Sequence, residues 1–161
     1  MVQQTPGQPD SLKMIEKLIS YDTTSRESNL ELIEFVQGYL QDLGVESQLV
    51  YNEDKRKANL YATLGPADRS GIMLSGHTDV VPVDGQNWAS DPFTMRHADG
   101  KLYGRGSSDM KSFFALIIEA VTPLLEHDFS EPLIILATAD EESSMSGARA
   151  LSKEQFSTPR A

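Results

Sequence analysis

The run LIILATADEESS, from Leu133 to Ser144, sets apolar residues suited to a buried strand directly against three consecutive acids, Asp140, Glu141 and Glu142. Like charges this close repel, and burying any of them costs several kcal/mol without a compensating cation or donor. Either the three acids point into water or something positive sits among them. A strand that ends in this way also restricts the fold. Its apolar body needs cover on both sides, and in open α/β sheets functional groups gather beyond the carboxyl ends of the strands.

The remaining elements fit around that strand. Residues 10–20 (DSLKMIEKLIS) carry Leu12, Ile15, Leu18 and Ile19 at helical spacing, with Asp10 or Ser11 as the cap. Ser28-Asn29-Leu30-Glu31 has capping-box spacing and opens a second helix. That helix bears Leu32, Ile33, Val36, Tyr39, Leu40 and Leu43 on one face and closes at Gly44. Residues 45–51, 59–64 and 72–75 read as short strands, with GPADRSG (residues 65–71) as a hairpin loop. Residues 93–98 and 101–103, joined through Asp99-Gly100, read as a second hairpin. After Gly104-Arg105-Gly106 the longest helix is predicted over about 109–127. Its expected buried face is Phe113, Leu116, Ile117, Ala120, Val121 and Leu124, with a late kink at Pro123. Residues 132–139 form the central strand, and residues 146–151 begin another helix. This order predicts an α/β sandwich with a mostly parallel mixed sheet carrying antiparallel hairpins and flanked by helices. The first nine residues, polar with two prolines, read as a flexible arm.

Composition removes several classes of function. A chain of 161 residues is long enough for one domain with a real core. Net charge is −10, and Lys55-Arg56-Lys57 is the one basic cluster, so nucleic-acid binding is not expected. No apolar run approaches the roughly 20 residues of a membrane span, and the opening MVQQTPGQPD lacks the regions of a signal peptide. With no cysteine there is neither a disulfide framework nor a thiolate metal site, and the cytoplasm is the expected location.

Three segments fall where chemistry is expected: Ser75-Gly76-His77-Thr78-Asp79 past one strand, the acid triplet past another, and Ser107-Ser108-Asp109-Met110-Lys111 at a helix start. Each has a plain structural reading. The H-x-D pair fits a solvated loop, Asp109 fits an ordinary helix N-cap, and the acids fit a favourable helix dipole. His97 reads as a surface residue, and His127 as a helix C-terminal residue beside the dipole's negative end. Together, however, a neutral imidazole and several carboxylates on neighbouring strand ends are the ligand set of zinc, cobalt or manganese. Asp79, two residues beyond His77, is placed to fix the imidazole tautomer. A carboxylate shared between two cations would suit hydrolysis, with a neighbouring glutamate free to move protons.

At these residues the chain resembles a known family. GHTDVVPVDGQNW, DPF, DGKLYGRGSSDMKSFFA and ILATADEESSMSGAR are similar to the M20 metallopeptidase family, in its acetylornithine deacetylase branch. The resemblance implies His77 as a ligand of one metal, Asp109 as a bridging carboxylate followed by a cis peptide bond, and Glu142 as a ligand of the second metal. It implies Glu141 as the general base and Asp79 as the partner that orients His77. Asp140 receives no role beyond a structural or charge-tuning one. The implied cofactors are two divalent ions, zinc or cobalt. The implied reaction is hydrolysis of an N-acyl amino acid, N2-acetylornithine giving ornithine and acetate in arginine biosynthesis. N-succinyl-diaminopimelate is the alternative substrate, and a non-catalytic fragment is the alternative of another class. Residues 10–161 would be the N-terminal part of the catalytic domain. The family's remaining ligands, a Gly-Glu-Pro type acid and a late histidine, would lie beyond FSTPRA, together with a lid domain through which full-length relatives form homodimers. The chain by itself is therefore expected to be inactive or nearly so.

Overall fold

The computed structural model describes residues 10–151, so the expected arm over residues 1–9 lies outside the described residues. Four α-helices and six strands follow in chain order: α1 (Ser11–Ile19), α2 (Leu30–Asp42), β1 (Ser47–Tyr51), β2 (Ala58–Leu64), β3 (Ile72–His77), β4 (Arg96–Ala98), β5 (Lys101–Tyr103), α3 (Ser112–Val121), β6 (Leu133–Thr138) and α4 (Ser146–Leu151). A 3₁₀ turn, Thr122–Glu126, continues α3. Among the described residues no helix is long and apolar enough to cross a membrane.

The helices are built largely as their sequences dictate. Asp10 caps α1 by accepting the Lys13 N–H at 3.2 Å, and Met14, Ile15, Leu18 and Ile19 are buried, while the expected Leu12 is exposed. In α2, Leu32, Ile33, Val36 and Leu40 are buried, and Gly44 ends the helix at φ 79°. The expected capping box does not form. Asn29 occupies the cap position without a side-chain cap bond. Its amide instead donates to Ala58 O and Thr78 Oγ1 and accepts from Ala58 N, each within 2.9 Å. The cap is thus given up to tie the start of α2 to β2 and to the segment after β3.

The helix expected to be the longest, over about 109–127, is α3, which spans only Ser112–Val121 and is shorter than α2; at its C-terminal end Pro123 lacks the N–H an α-helix needs and the chain tightens into the 3₁₀ turn. Its buried face is also rotated. Phe114, Ala115, Ile117, Ile118 and Val121 are buried, whereas Leu116 is 52% exposed. A helix that is apolar nearly all round gives periodicity little to distinguish.

The main sheet has the order β1-β2-β6-β3. It is a mixed sheet flanked by helices, as expected, but its parallel share is smaller than the sequence suggested. β1 pairs antiparallel with β2 and β2 antiparallel with β6, and only β3 and β6 run parallel, from Ile72↔Leu133 to His77↔Thr138. Residues 65–71 are consequently not a hairpin loop. They carry the chain from β2 past the start of β6 to β3, so closely that a Cβ on Gly71 would meet Pro132 O at 1.9 Å. The second hairpin is as expected: β4 and β5 pair through Asp99-Gly100, both at positive φ.

The parallel pair positions the site. Because β3 and β6 run side by side in the same direction, His77 and Thr138 reach the same edge of the sheet together. The core beneath holds Leu60, Ala62, Ile135 and Ala137 of the sheet with the buried faces of α1, α2 and α3. Burial of these groups is the main favourable contribution to the fold.

Candidate metal centre

Three segments deliver side chains to the shared end of β3 and β6. His77 is the last residue of β3, followed by Thr78 and Asp79, all buried. Asp140, Glu141 and Glu142 follow β6, with Asp140 turned to φ 62°. Asp109 follows the Gly106 turn, and its peptide bond to Met110 is cis, as the resemblance implied. Asp109 is not a helix cap, since α3 begins at Ser112 after Lys111. Its carboxylate is largely exposed.

The imidazole of His77 is the centre of the cluster. Its Nδ1 donates to the main-chain carbonyl of Asp79 at 2.9 Å, which turns Nε2 toward the acids. Nε2 lies 3.0 Å from Asp109 Oδ1 and 3.8 Å from Glu141 Oε2. One ligand atom each from His77, Glu141 and Glu142 lie within 4.8 Å of one another. The structure thus brings His77, Asp109, Glu141 and Glu142 together. By position alone Glu141 is as near to serving as a ligand as Glu142. His97 is exposed, as expected, and His127, also exposed, follows the end of the 3₁₀ turn.

Asp79 does something different from what its spacing suggested. Its carboxylate stands 3.6 Å from His77 Nδ1, while the ring bond goes to its carbonyl. The two carboxylate oxygens are used instead on the neighbouring loop: Oδ1 accepts the Glu141 N–H at 3.0 Å, and Oδ2 accepts the Glu142 N–H at 3.1 Å. Ser25 Oγ donates to Oδ2 at 2.9 Å. Asp79 therefore fixes the histidine through its main chain and the glutamate pair through its side chain. Burial pushes its carboxyl up, but the nearby His77 ring and the bonds from Ser25, Glu141 and Glu142 together hold it below the usual range.

The electrostatics of the cluster fit a bound cation. Hydrogen bonding to Asp79, supported by Asp109, raises His77 to about 9 against the opposing effect of burial. Burial, and then the charge of Asp109, push Glu142 up. The part that Asp109 plays in both shifts shows that its charge is felt across the cluster. One imidazole nitrogen and several carboxylate oxygens, with no thiol in the chain, form a donor set suited to zinc, cobalt or manganese.

Sequence reasoning missed the buried polar residues beneath this cluster. Lys57 donates to Asp140 and to the Ser25 carbonyl, and Asp140 accepts from Ser146 Oγ. Asn59 accepts the Ala139 N–H at 3.0 Å and donates to Gly147 O at 3.2 Å, so it holds both ends of the acid turn. Lys57 could be read only as one of three adjacent basic residues, because Asp140 is 83 positions away and no local pattern joins them. The buried Lys111 likewise donates to Ile19 O and Tyr21 O, and burial lowers its ammonium to about 8.

Residues 73–160 match the profile of peptidase family M20/M25/M40. The acetylornithine deacetylase of Pasteurella multocida (strain Pm70) is 45% identical over 148 residues, which cover 88% of this chain and 38% of that protein. That of Proteus mirabilis (strain HI4320) is 48% identical over 130 residues, 80% of this chain and 33% of that protein. The chain therefore spans about a third of the length of these relatives. Among solved structures, human carnosine dipeptidase 1 superposes with a TM-score of 0.74 at 25% identity, covering 91% of this chain and 36% of that one. The M20 metallo-carboxypeptidase Sso-CP2 of Sulfolobus solfataricus gives 0.72 at 22% identity over 83% of this chain and 31% of that one, a likeness of fold alone. The matched segment contains His77, Asp79, Asp109, Glu141 and Glu142, and the chain belongs to peptidase family M20/M25/M40.

Proposed function

We propose that this chain is the N-terminal part of the catalytic domain of a metal-dependent amidohydrolase that removes the acyl group from an N-acylated amino acid, N2-acetylornithine in the first instance. The observation that carries the reading is the convergence of one imidazole and three carboxylates from three distant segments at the common end of β3 and β6. The acetylornithine choice follows the names of relatives 44–50% identical to this chain. Its product would enter arginine biosynthesis, in the cytoplasm.

His77, Asp109 and Glu142 would hold the metal, with Asp109 shared between two ions. A divalent ion there supplies Lewis acidity toward the acyl oxygen and makes water easier to deprotonate. Glu141 acts as the general base. Its side chain is 45% exposed, so it can meet water and substrate, while its N–H is anchored on Asp79. It takes a proton from the attacking water as the water oxygen bonds to the acyl carbon. The C–N bond then breaks with its electron pair on nitrogen, and Glu141 returns the proton to the departing amine. The rest of the ligand set would come from sequence outside this chain, so the chain alone should turn over far more slowly than a full-length relative.

The test is a chimera in which this chain replaces the matching part of a full-length acetylornithine deacetylase. It should hydrolyse N-acetyl-L-ornithine in preference to N-succinyl-diaminopimelate, and Glu141→Gln should lower kcat by roughly a thousandfold. Faster hydrolysis of the succinyl substrate would overturn the substrate choice. Full activity of Glu141→Gln would overturn the role of Glu141.

A further inference from the structure

The three adjacent acids after β6 do not share one fate. Asp140 is turned away from Glu141 and Glu142 and enters a buried contact. Its Oδ1 accepts from Lys57 Nζ and its Oδ2 from Ser146 Oγ, with Lys57 and Asp140 only 13% and 11% exposed in their side chains. Lys57 has a second partner, the carbonyl of Ser25. The hydroxyl of that same Ser25 donates to Asp79 Oδ2, and Ser25 N–H bonds Val80 O at 3.1 Å. Lys57 thus lies between the turn bearing the glutamate pair and the residue that braces Asp79.

Backbone geometry shows what this contact holds. Asp140 has φ 62°, a conformation that L-residues other than asparagine and aspartate rarely adopt. Its carbonyl accepts the N–H groups of Ser144 at 3.1 Å and Met145 at 2.7 Å, so the acid turn is wound about this one residue. Through that reversal the N–H groups of Glu141 and Glu142 face the two oxygens of Asp79. Lys57 is itself fixed, because its N–H donates to Asn52 Oδ1 at 3.0 Å and its carbonyl accepts Asn52 N–H at 2.9 Å. A buried charge pair that loses one partner leaves the other uncompensated, so the turn depends on Lys57.

We propose that Lys57 is a positioning residue for the metal centre: through Asp140 and Ser25 it sets the turn that presents Glu141 and Glu142, without touching metal or substrate. It is also the positive charge that lets the first of three adjacent acids be buried. The metal part of this inference rests on the proposed function, but the positioning part does not.

The experiment compares Lys57→Met, Lys57→Arg and the unaltered chain by native-state amide hydrogen exchange and by calorimetric titration with zinc alone. In Lys57→Met, exchange at the Glu141 and Glu142 amides should rise by about tenfold or more, while the β6 amides of Ile134 and Ile135 stay protected. Zinc affinity should fall about tenfold or more, the scale of losses from residues that support metal ligands. Lys57→Arg should recover most of both. Unchanged exchange at Glu141 and Glu142, or Lys57→Arg no better than Lys57→Met, would overturn the proposal. A general loss of protection including β6 would also overturn it, since Lys57 would then only stabilise the fold. If Lys57→Met does not fold, Asp140→Asn carries the same comparison, with the same local rise expected and its absence decisive. If the unaltered chain binds no zinc, the metal reading fails while the exchange data still decide the role of Lys57.

Discussion

At the scale of single residues, Asp79 does most to hold the candidate site in shape. A buried carboxylate accepting two main-chain N–H groups and a hydroxyl has little freedom to be replaced. Asp79→Asn is nearly isosteric, yet whichever way its amide is turned, an NH₂ faces one of those donors. That leaves a buried N–H unsatisfied, at a cost of about 1–3 kcal/mol. The expected result is a corresponding loss in chemical denaturation and weaker zinc binding, about 10–100-fold, although Asp79 is not itself a ligand. Unchanged stability would mean that the Glu141 and Glu142 amides find other partners. The sequence showed that Asp79 belonged with His77 because it lies two residues beyond it, just past the end of β3. It did not show the side chain's bonds, since Glu141 is 62 positions away and meets Asp79 only after β3 and β6 pair.

Secondary-structure elements show the same division between local and distant causes. The β4–β5 hairpin was legible because Asp99-Gly100 carries its turn chemistry within two residues. The loop between β2 and β3 was misread because nothing within GPADRSG says that β6, more than sixty positions later, will lie between the strands it joins. The buried face of α3 was misplaced because its composition leaves several faces equally apolar, so packing rather than pattern decides. Close approach between elements is testable at Gly147, where a Cβ would lie 2.3 Å from Ala139 O and 2.5 Å from Asn59 Oδ1. Gly147→Ala should push α4 away from the end of β6 and destabilise the chain by about 1–3 kcal/mol, read as a lower midpoint in thermal or urea unfolding. A midpoint equal to that of the unaltered chain would show that α4 is not held there.

For the whole molecule, the central claim is that one fold decision assembles the metal centre. The parallel pairing of β3 and β6 places His77 beside the acid turn, and the loop before α3 brings Asp109 to the open side of the imidazole. The residues that converge there, His77, Asp109, Glu141 and Glu142, were legible in the sequence because each sits at a strand end or in a glycine-rich turn, positions readable from local pattern. The polar frame of Ser25, Asn29, Lys57 and Asn59 was not, because the bonds that tie it to the site join residues 49 to 83 positions apart, brought together only by the fold. The most direct measurement is a calorimetric zinc titration of this 161-residue chain beside Asp109→Ala and His77→Ala. Saturable zinc binding is expected of the unaltered chain, weakened at least about tenfold in both variants. Equal binding by all three proteins, or none by the unaltered chain, would contradict the claim that these strand ends form a metal centre.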